Sequence, residues 1–152
     1  MATPKPNLSR DFKDLLKCFH SHDVKFLVVG GHAVSFHGFP RFTKDLDLWI
    51  ERSPENAARI TAALAEFGID IPAGSERSFV EPGRMASFGR EPMRVDILNE
   101  IQGVRFEDCH PQRQMIEVDG VPLPLISKAD LIVNKRATGR TRDLGDAEEL
   151  ES

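Results

Sequence analysis

KFLVVGGHAVSFHGFPRFTKDLDLWI, residues 25–50, is the stretch of sequence that decides the fold. It opens with an apolar run at 25–29, which is typical of a short buried strand, and the pair Gly30-Gly31 ends that run. A short helix is predicted next, and residues 45–50 then alternate polar or exposed positions with Leu46, Leu48 and Ile50, as a strand with one buried face does. The pattern therefore predicts strand, glycine turn, short helix and strand, in an α/β arrangement.

Helices are predicted on both sides of this stretch from their capping residues. Four of them are expected to begin after a capping or breaking residue, namely Ser9, Ser53, Ser127 and Gly139. The second is the clearest, because Pro54 follows its cap and Gly68 ends it.

Two further strand pairs are predicted in the second half of the chain. Residues 85–88 and 94–98 form the first pair, and 115–118 with 121–125 form the second, across a hairpin turn at Asp119-Gly120. Combined with the helices, these strands predict an α/β (α+β) fold in which a small mixed sheet is flanked by helices.

Length and composition bound the protein class. The chain has 152 residues, of which 40% are hydrophobic, so we expect one domain over residues 9–150 after a flexible tail at 1–8. The formal net charge of −4 lacks the basic excess that holds long nucleic acids, so an RNA partner would need a local basic patch. Cys18 and Cys109 form no disulfide or zinc pattern. The absence of a signal-like or membrane-spanning apolar run predicts a cytoplasmic protein with no membrane partner.

Three aspartates are candidate metal ligands. Asp45 and Asp47 are two residues apart, so a strand sends both carboxylates to the same side. Such a pair repels, which raises one pKa, and a divalent cation removes that cost. Asp96, between Val95 and Ile97, is a third candidate on a later strand. The alternative interpretation is that these residues lie on the solvated face of an edge strand.

The glycine pair is a candidate phosphate site. Without side chains, Gly30 and Gly31 would let the backbone approach an anion at the start of a helix. Alone, such a pair more often forms only a turn. The glycine pair is a more specific signal of a phosphate site when acidic residues follow it, and Asp45 follows Gly31 by fourteen residues.

Taken together, these motifs resemble the nucleotidyltransferase superfamily, that of DNA polymerase beta and the minimal nucleotidyltransferases. The resemblance is carried by VGGHAV at 29–34, RFTKDLDL at 41–48 and VDI at 95–97. It implies a reaction in which an acceptor hydroxyl attacks the α-phosphate of a nucleoside triphosphate and releases pyrophosphate. Whether the acceptor is RNA such as tRNA, a protein or a small molecule stays open.

The resemblance also implies roles for the candidate residues. Gly30 and Gly31 would contact the triphosphate, Asp45 and Asp47 would hold Mg²⁺ or Mn²⁺, and Asp96 would complete the site and help to activate the acceptor.

Within the superfamily, the sequence resembles the AbiEii-like toxins and similar bacterial minimal nucleotidyltransferases. They share an Arg-x-Thr-x-Asp-h-Asp run, here containing Arg41 and Thr43, and a later segment that contains Lys135 and Asp143. The likeness implies that Arg41, Thr43 and Lys135 help to bind the nucleotide, here ATP or another triphosphate. It also implies a toxin–antitoxin context, in which the alternative to an enzyme is a catalytically inactive module that binds a cognate antitoxin.

Several other residues admit a structural interpretation. Arg41 and Lys44 either contact phosphate or are solvated charges, and Lys135, Arg140 and Arg142 either line the nucleotide cleft or form surface pairs. His32 and His37 are five residues apart, a spacing that does not bring them onto one helical face as metal ligands. The aromatic residues of this region are predicted to pack in the core rather than stack a base, and they are Phe36, Phe39 and Phe42.

Overall fold

The described residues of the stretch 25–50 form the centre of the structure, a computed structural model that describes residues 8–39, 43, 45–90 and 94–152. The helices are α1 (Arg10–Ser21), α2 (Gly30–Phe36), α3 (Pro54–Phe67), α4 (Arg77–Val80), α5 (Phe106–Cys109), α6 (Lys128–Thr138) and α7 (Thr141–Glu151). The strands are β1 (Phe26–Val29), β2 (Leu46–Ile50), β3 (Met85–Phe88), β4 (Val95–Leu98), β5 (Gln114–Val118) and β6 (Val121–Leu125). A single 3₁₀ turn, His110–Gln112, follows α5 within these ranges.

Six strands form one mixed sheet in the order β3-β4-β2-β1-β6-β5. The pairs β2–β4 and β1–β6 are parallel, and the pairs β1–β2, β3–β4 and β5–β6 are antiparallel. The predicted fold class, a mixed sheet flanked by helices, is therefore confirmed.

Local sequence signals account for most element boundaries. The hydroxyls of Ser9, Ser53 and Ser127 each accept a hydrogen bond from the backbone N–H three residues later, which confirms the predicted caps. The hairpin turn between β5 and β6 is also confirmed, since Asp119 and Gly120 both have positive φ angles, of 50° and 80°.

Gly30 and Gly31 are the first two residues of α2, which confirms their predicted position at the start of a helix, although no separate turn precedes that helix. The short helices α4 and α5 were not predicted, because four residues are too few to reveal a helical period.

The hydrophobic core is continuous across the sheet. Its largest fully buried side chains include Phe19 of α1, Trp49 of β2 and Leu64 of α3. Of the tail expected at residues 1–8, only Leu8 lies among the described residues, and it is buried in this core. Over the described ranges, no helix combines the length and apolarity that crossing a membrane would require.

The buried side chain of Asn56 connects α3 to the end of the sheet opposite the glycine pair through hydrogen bonds. The Asn56 side chain accepts a hydrogen bond from the N–H of Lys25 at 2.8 Å and donates to the carbonyls of Lys25 and Glu51 at 3.0 and 2.9 Å. Asn56 therefore satisfies the backbone just before β1 and just after β2.

We expect Asn56→Ala to lower the free energy of unfolding by about 2–3 kcal/mol, because buried backbone groups lose their partner. Urea denaturation measures the change. Glu55→Ala, at the exposed neighbouring position, is the control and should have a much smaller effect. Equal effects of the two substitutions would contradict this role of Asn56.

Candidate functional site

Strand direction brings the candidate residues to one edge of the sheet. β1 ends at Val29, whose register partner on antiparallel β2 is Asp47. β4 runs parallel to β2, and Asp47 is aligned with Asp96. The end of β1, which leads into Gly30, therefore meets the starts of β2 and β4.

A cleft of about 1200 Å³ lies at this edge, between the sheet and the helices α6 and α7. The residues that the sequence singled out and that line it are Gly30, Gly31, Thr43, Asp45, Asp47, Asp96, Lys135, Arg140, Arg142 and Asp143. Arg41 and Lys44 lie outside the described residues. The roles of the lining residues stay predictions, but their common location is a structural fact.

The two glycines are packed against residues of the acidic segment. Gly30 has a φ of +71°, and a side chain there would collide with the carboxylate of Asp47. A Cβ atom at Gly31 would lie 2.8 Å from Oγ1 of Thr43. The start of α2 can therefore approach Asp47 and Thr43 only because both residues are glycine.

Asp47 has a strongly perturbed acidity. Burial raises its pKa to about 7, and the negative charges of Asp96 and Asp45 act in the same direction. Lys135 and Arg94 oppose this effect. Near neutral pH, Asp47 is thus poised between its protonated and ionised forms.

Asp45 directs an unsatisfied oxygen inward. Its Oδ1 is buried and has no hydrogen-bond partner within the described part of the chain. Its backbone carbonyl lies 3.0 Å from Nδ1 of His32, which must donate because a carbonyl only accepts. Burial lowers the pKa of His32, which favours the neutral ring. His32 is therefore a buried support of Asp45.

The other described residues that were predicted to have a structural role form hydrogen bonds or pack against the core. Nε2 of His37 lies 2.8 Å from the carbonyl of Ile126 and donates to it. Phe36 and Phe39 pack against the core, as predicted, and Phe42 lies outside the described residues.

Asp96 is held by two donors. Its Oδ1 accepts hydrogen bonds from the Ser87 hydroxyl at 2.7 Å and from Nε of Arg94 at 3.0 Å. Sequence analysis missed Ser87, which the antiparallel register of β3 and β4 places opposite Asp96. Knowledge of the register would have identified it, since the hairpin itself was predicted.

Lys135 belongs to a buried ion-pair network. Its Nζ lies 3.0 Å from Asp143 Oδ1 and 3.2 Å from Asp146 Oδ2, both on α7. Asp143 Oδ2 also accepts bonds from Thr138 and Arg140. Burial alone would raise the pKa of Asp143, but these bonds and the Lys135 charge bring it below its ordinary value. The i, i+3 pair of Arg140 with Asp143 is thus present, while Lys135 is not a surface residue.

The far end of the cleft was not predicted. It is lined by Met85, Leu98 and Glu100, which extend the face that carries Ser87 and Asp96. The period of two along β3 and β4 was the available signal, because it places alternate residues on one face.

The acidic residues fit a hard divalent cation. The described residues do not form a ready-made group of three metal-binding side chains. Mg²⁺, however, commonly uses only one or two carboxylates together with water and substrate phosphates. Oδ1 of Asp45 is buried without a hydrogen-bond partner among the described groups, and the negative charges of Asp45 and Asp96 act on Asp47, so a divalent cation would satisfy that oxygen and relieve the repulsion. The donor set therefore suits Mg²⁺ or Mn²⁺.

A family model described as "Nucleotidyl transferase of unknown function (DUF2204)" matches residues 8–152. A search of curated protein sequences finds no match.

Solved structures share the fold. A candidate nucleotidyltransferase from Thermotoga maritima aligns with a TM-score of 0.60 and 18% identity, over 93% of this chain and 89% of that one. The antibiotic-resistance factor ANT(2'')-Ia, in complex with adenylyl-2''-tobramycin, aligns with a TM-score of 0.55 and 16% identity, over 91% and 89%. A nucleotidyltransferase-like protein from Paracoccidioides brasiliensis gives 0.53 and 14%, over 95% and 76%. At these identities the likeness concerns the fold.

The pKa of Asp47 predicts how stability depends on pH without a divalent cation. Between about pH 4 and pH 7, the folded protein binds a proton at Asp47 that the unfolded chain has lost, so the free energy of unfolding should fall as pH rises through this window. Asp47→Asn should remove this component and be more stable than the wild type above pH 7. Urea denaturation at several pH values between about 4 and 7 measures the free energy of unfolding of both proteins. The contributions of the histidines cancel when the value for one protein is subtracted from that for the other. Parallel pH profiles would contradict the shift.

Replacement of the buried Lys135 should strongly lower the free energy of unfolding. We expect Lys135→Met to cost about 3–5 kcal/mol, because Asp143 and Asp146 lose the buried ammonium group that lies 3.0 and 3.2 Å from their carboxylate oxygens. Arg136→Met is the matched control at the next position, where the arginine pairs with Glu151 at the surface and contributes at most about 1 kcal/mol. Denaturant titration of both variants tests this, and a mild effect of Lys135→Met would show that the network is dispensable.

Proposed function

We propose, since this chain belongs to the DUF2204 family of nucleotidyl transferases, that it transfers a nucleoside monophosphate from a triphosphate to an acceptor hydroxyl and releases pyrophosphate. The observation that carries the proposal is the meeting of the glycine pair with Asp45, Asp47 and Asp96 in one cleft, where the pKa of Asp47 is raised to about 7. Acidic residues that lie in a cleft and have a strongly shifted pKa are typical of functional sites.

The acidic residues are the proposed cation site. Asp45 and Asp47 would hold Mg²⁺ or Mn²⁺ with Asp96 beside them, and Oδ1 of Asp45 offers a ligand that the described protein groups leave unused. When bound, the cation would neutralise charge on the phosphate oxygens. The three carboxylates would lose most of their mutual repulsion at the same time.

The glycine pair is the proposed contact for the phosphates. Gly30 and Gly31 line the cleft without side chains, so their backbone can approach a ligand next to Asp47. Thr43, against Gly31, offers a hydroxyl at the same point. Lys135 would act there mainly through its charge, because Asp143 and Asp146 already engage its ammonium group.

Sheet order then suggests from which side the acceptor arrives. Across the sheet, β2 with Asp47 lies between β1, which leads to Gly30, and β4, which carries Asp96. The attacking and leaving oxygens of phosphoryl chemistry lie roughly in line through the phosphorus. Pyrophosphate at the glycines therefore places the acceptor on the side of β4 and β3.

A small molecule is the acceptor class that we favour. The acceptor side offers the apolar Met85 and Leu98 and the carboxylate of Glu100, and the whole chain carries a net charge of −4. This surface is poorly suited to a long polyanion. The cleft volume also exceeds that of a typical single-ligand pocket, which leaves room for an acceptor beside the nucleotide. ANT(2'')-Ia, of similar fold, was solved with an adenylylated small molecule.

Nucleotide binding is tested by thermal unfolding with Mg²⁺ and each of the four nucleoside triphosphates. One of them should stabilise the protein by about 2.7 kcal/mol at 100 times its Kd, through mass action, while Mg²⁺ alone should act less. The double variant Asp45→Asn with Asp47→Asn should lose this response and melt higher without ligands, because repulsion is relieved.

The control removes two exposed aspartates away from the cleft, Asp70→Asn with Asp108→Asn, and should keep the response. No stabilisation by any triphosphate, with Mg²⁺ or Mn²⁺, would refute the nucleotide site. Stabilisation without transfer of label from α-labelled triphosphate to any tested acceptor would instead support an inactive binding module.

A further inference from the structure

We propose that Ser87 is a positioning residue, whose hydroxyl keeps one oxygen of Asp96 available to the cation site. The inference rests on the proposed function, and it concerns a residue on edge strand β3 that does not itself line the acidic part of the cleft. Its basis is the hydrogen-bond triangle of Ser87, Arg94 and Asp96.

Register and distance define the triangle. Ser87 and Asp96 are cross-strand partners, and the hydroxyl donates to Oδ1 at 2.7 Å. Arg94 donates to the same oxygen through Nε at 3.0 Å, while its Nη2 lies 3.4 Å from Oγ of Ser87. Within the described part of the chain both side-chain donors converge on Oδ1, and we infer that the second carboxylate oxygen, Oδ2, is the one that serves the cleft.

The geometry of arginine explains why a serine is needed. A guanidinium group next to a carboxylate tends to bind both oxygens through its fork. Here the fork is divided, since Nε contacts Oδ1 and Nη2 is directed toward the Ser87 hydroxyl. Without that hydroxyl, the fork of Arg94 can close on both oxygens of Asp96. Closure would occupy Oδ2 and weaken the site for a cation.

The different solvent exposure of Ser87 and Asp96 distinguishes a positioning role of Ser87 from a role in stabilising the fold. Asp96 is only 8% exposed, whereas Ser87 lies on the exposed face of a four-residue edge strand. Replacing an exposed edge residue with alanine has little effect on stability in general. Ser87→Ala should therefore leave the melting temperature of the cation-free protein nearly unchanged, while changing the cation affinity.

The experiment measures Mn²⁺ binding to the full chain, from the electron paramagnetic resonance signal of free Mn²⁺. Ser87→Ala should weaken Mn²⁺ binding by about 10- to 100-fold, the usual effect of removing a group that orients a metal ligand. Ser87→Thr keeps the hydroxyl and should bind nearly as the wild type does. Adding Arg94→Lys to Ser87→Ala should recover part of the affinity, because an ammonium group has no fork.

The outcomes separate this inference from the proposed function. No Mn²⁺ binding by the wild type would refute the cation site itself, and this inference with it. Wild-type binding that Ser87→Ala leaves unchanged would refute only the role of Ser87. Equal losses in Ser87→Ala and Ser87→Thr, or a large fall in the melting temperature of cation-free Ser87→Ala, would also overturn it, since the hydroxyl would then not act by positioning Asp96.

Discussion

The parallel, in-register pairing of β2 with β4 is the constraint on which the cleft depends. It sets Asp47 beside Asp96, although like charges on neighbouring strands are unfavourable. Neither acid can turn away, because a shift of β2 by one residue would expose Leu46 and Leu48, which are fully buried. The hydrophobic core therefore holds the acids together, and their repulsion contributes to the raised pKa of Asp47.

Positive charge surrounds these acids without neutralising them. Lys135 and Arg94 both lower the pKa of Asp47, but each is already engaged with other carboxylates. The Lys135 ammonium group is shared between Asp143 and Asp146, so helix α7 and the acidic cluster compete for one buried charge. The position of the last helix is thus coupled electrostatically to the cleft, since buried ion pairs tolerate little displacement.

The cleft joins parts of the fold that differ in how firmly they are held. Gly30 follows the central buried strand β1 and Asp47 lies within the central, largely buried strand β2, whereas Met85 and Ser87 lie on the exposed face of edge strand β3. In the proposed function, the central strands would hold the phosphates and the cation, and the edge strand would face the acceptor. A scaffold of this kind can keep the chemistry constant while the acceptor side varies, because exposed positions accept substitution more readily than core positions do.

The sequence alone predicts the longer helices, the strands, their order and the identity of the acidic and glycine residues, but not the four-residue helices α4 and α5. Caps such as Ser53 and alternation such as that of 45–50 act within a few residues, so a local pattern encodes them. The register that aligns Asp47 with Asp96, the hydrogen bond from Ser87 to Asp96 and the burial of Lys135 against α7 follow from the tertiary structure. These contacts depend on strand order, register and helix packing, which join segments far apart in the chain, and local periodicity carries no information about which distant segments will pair.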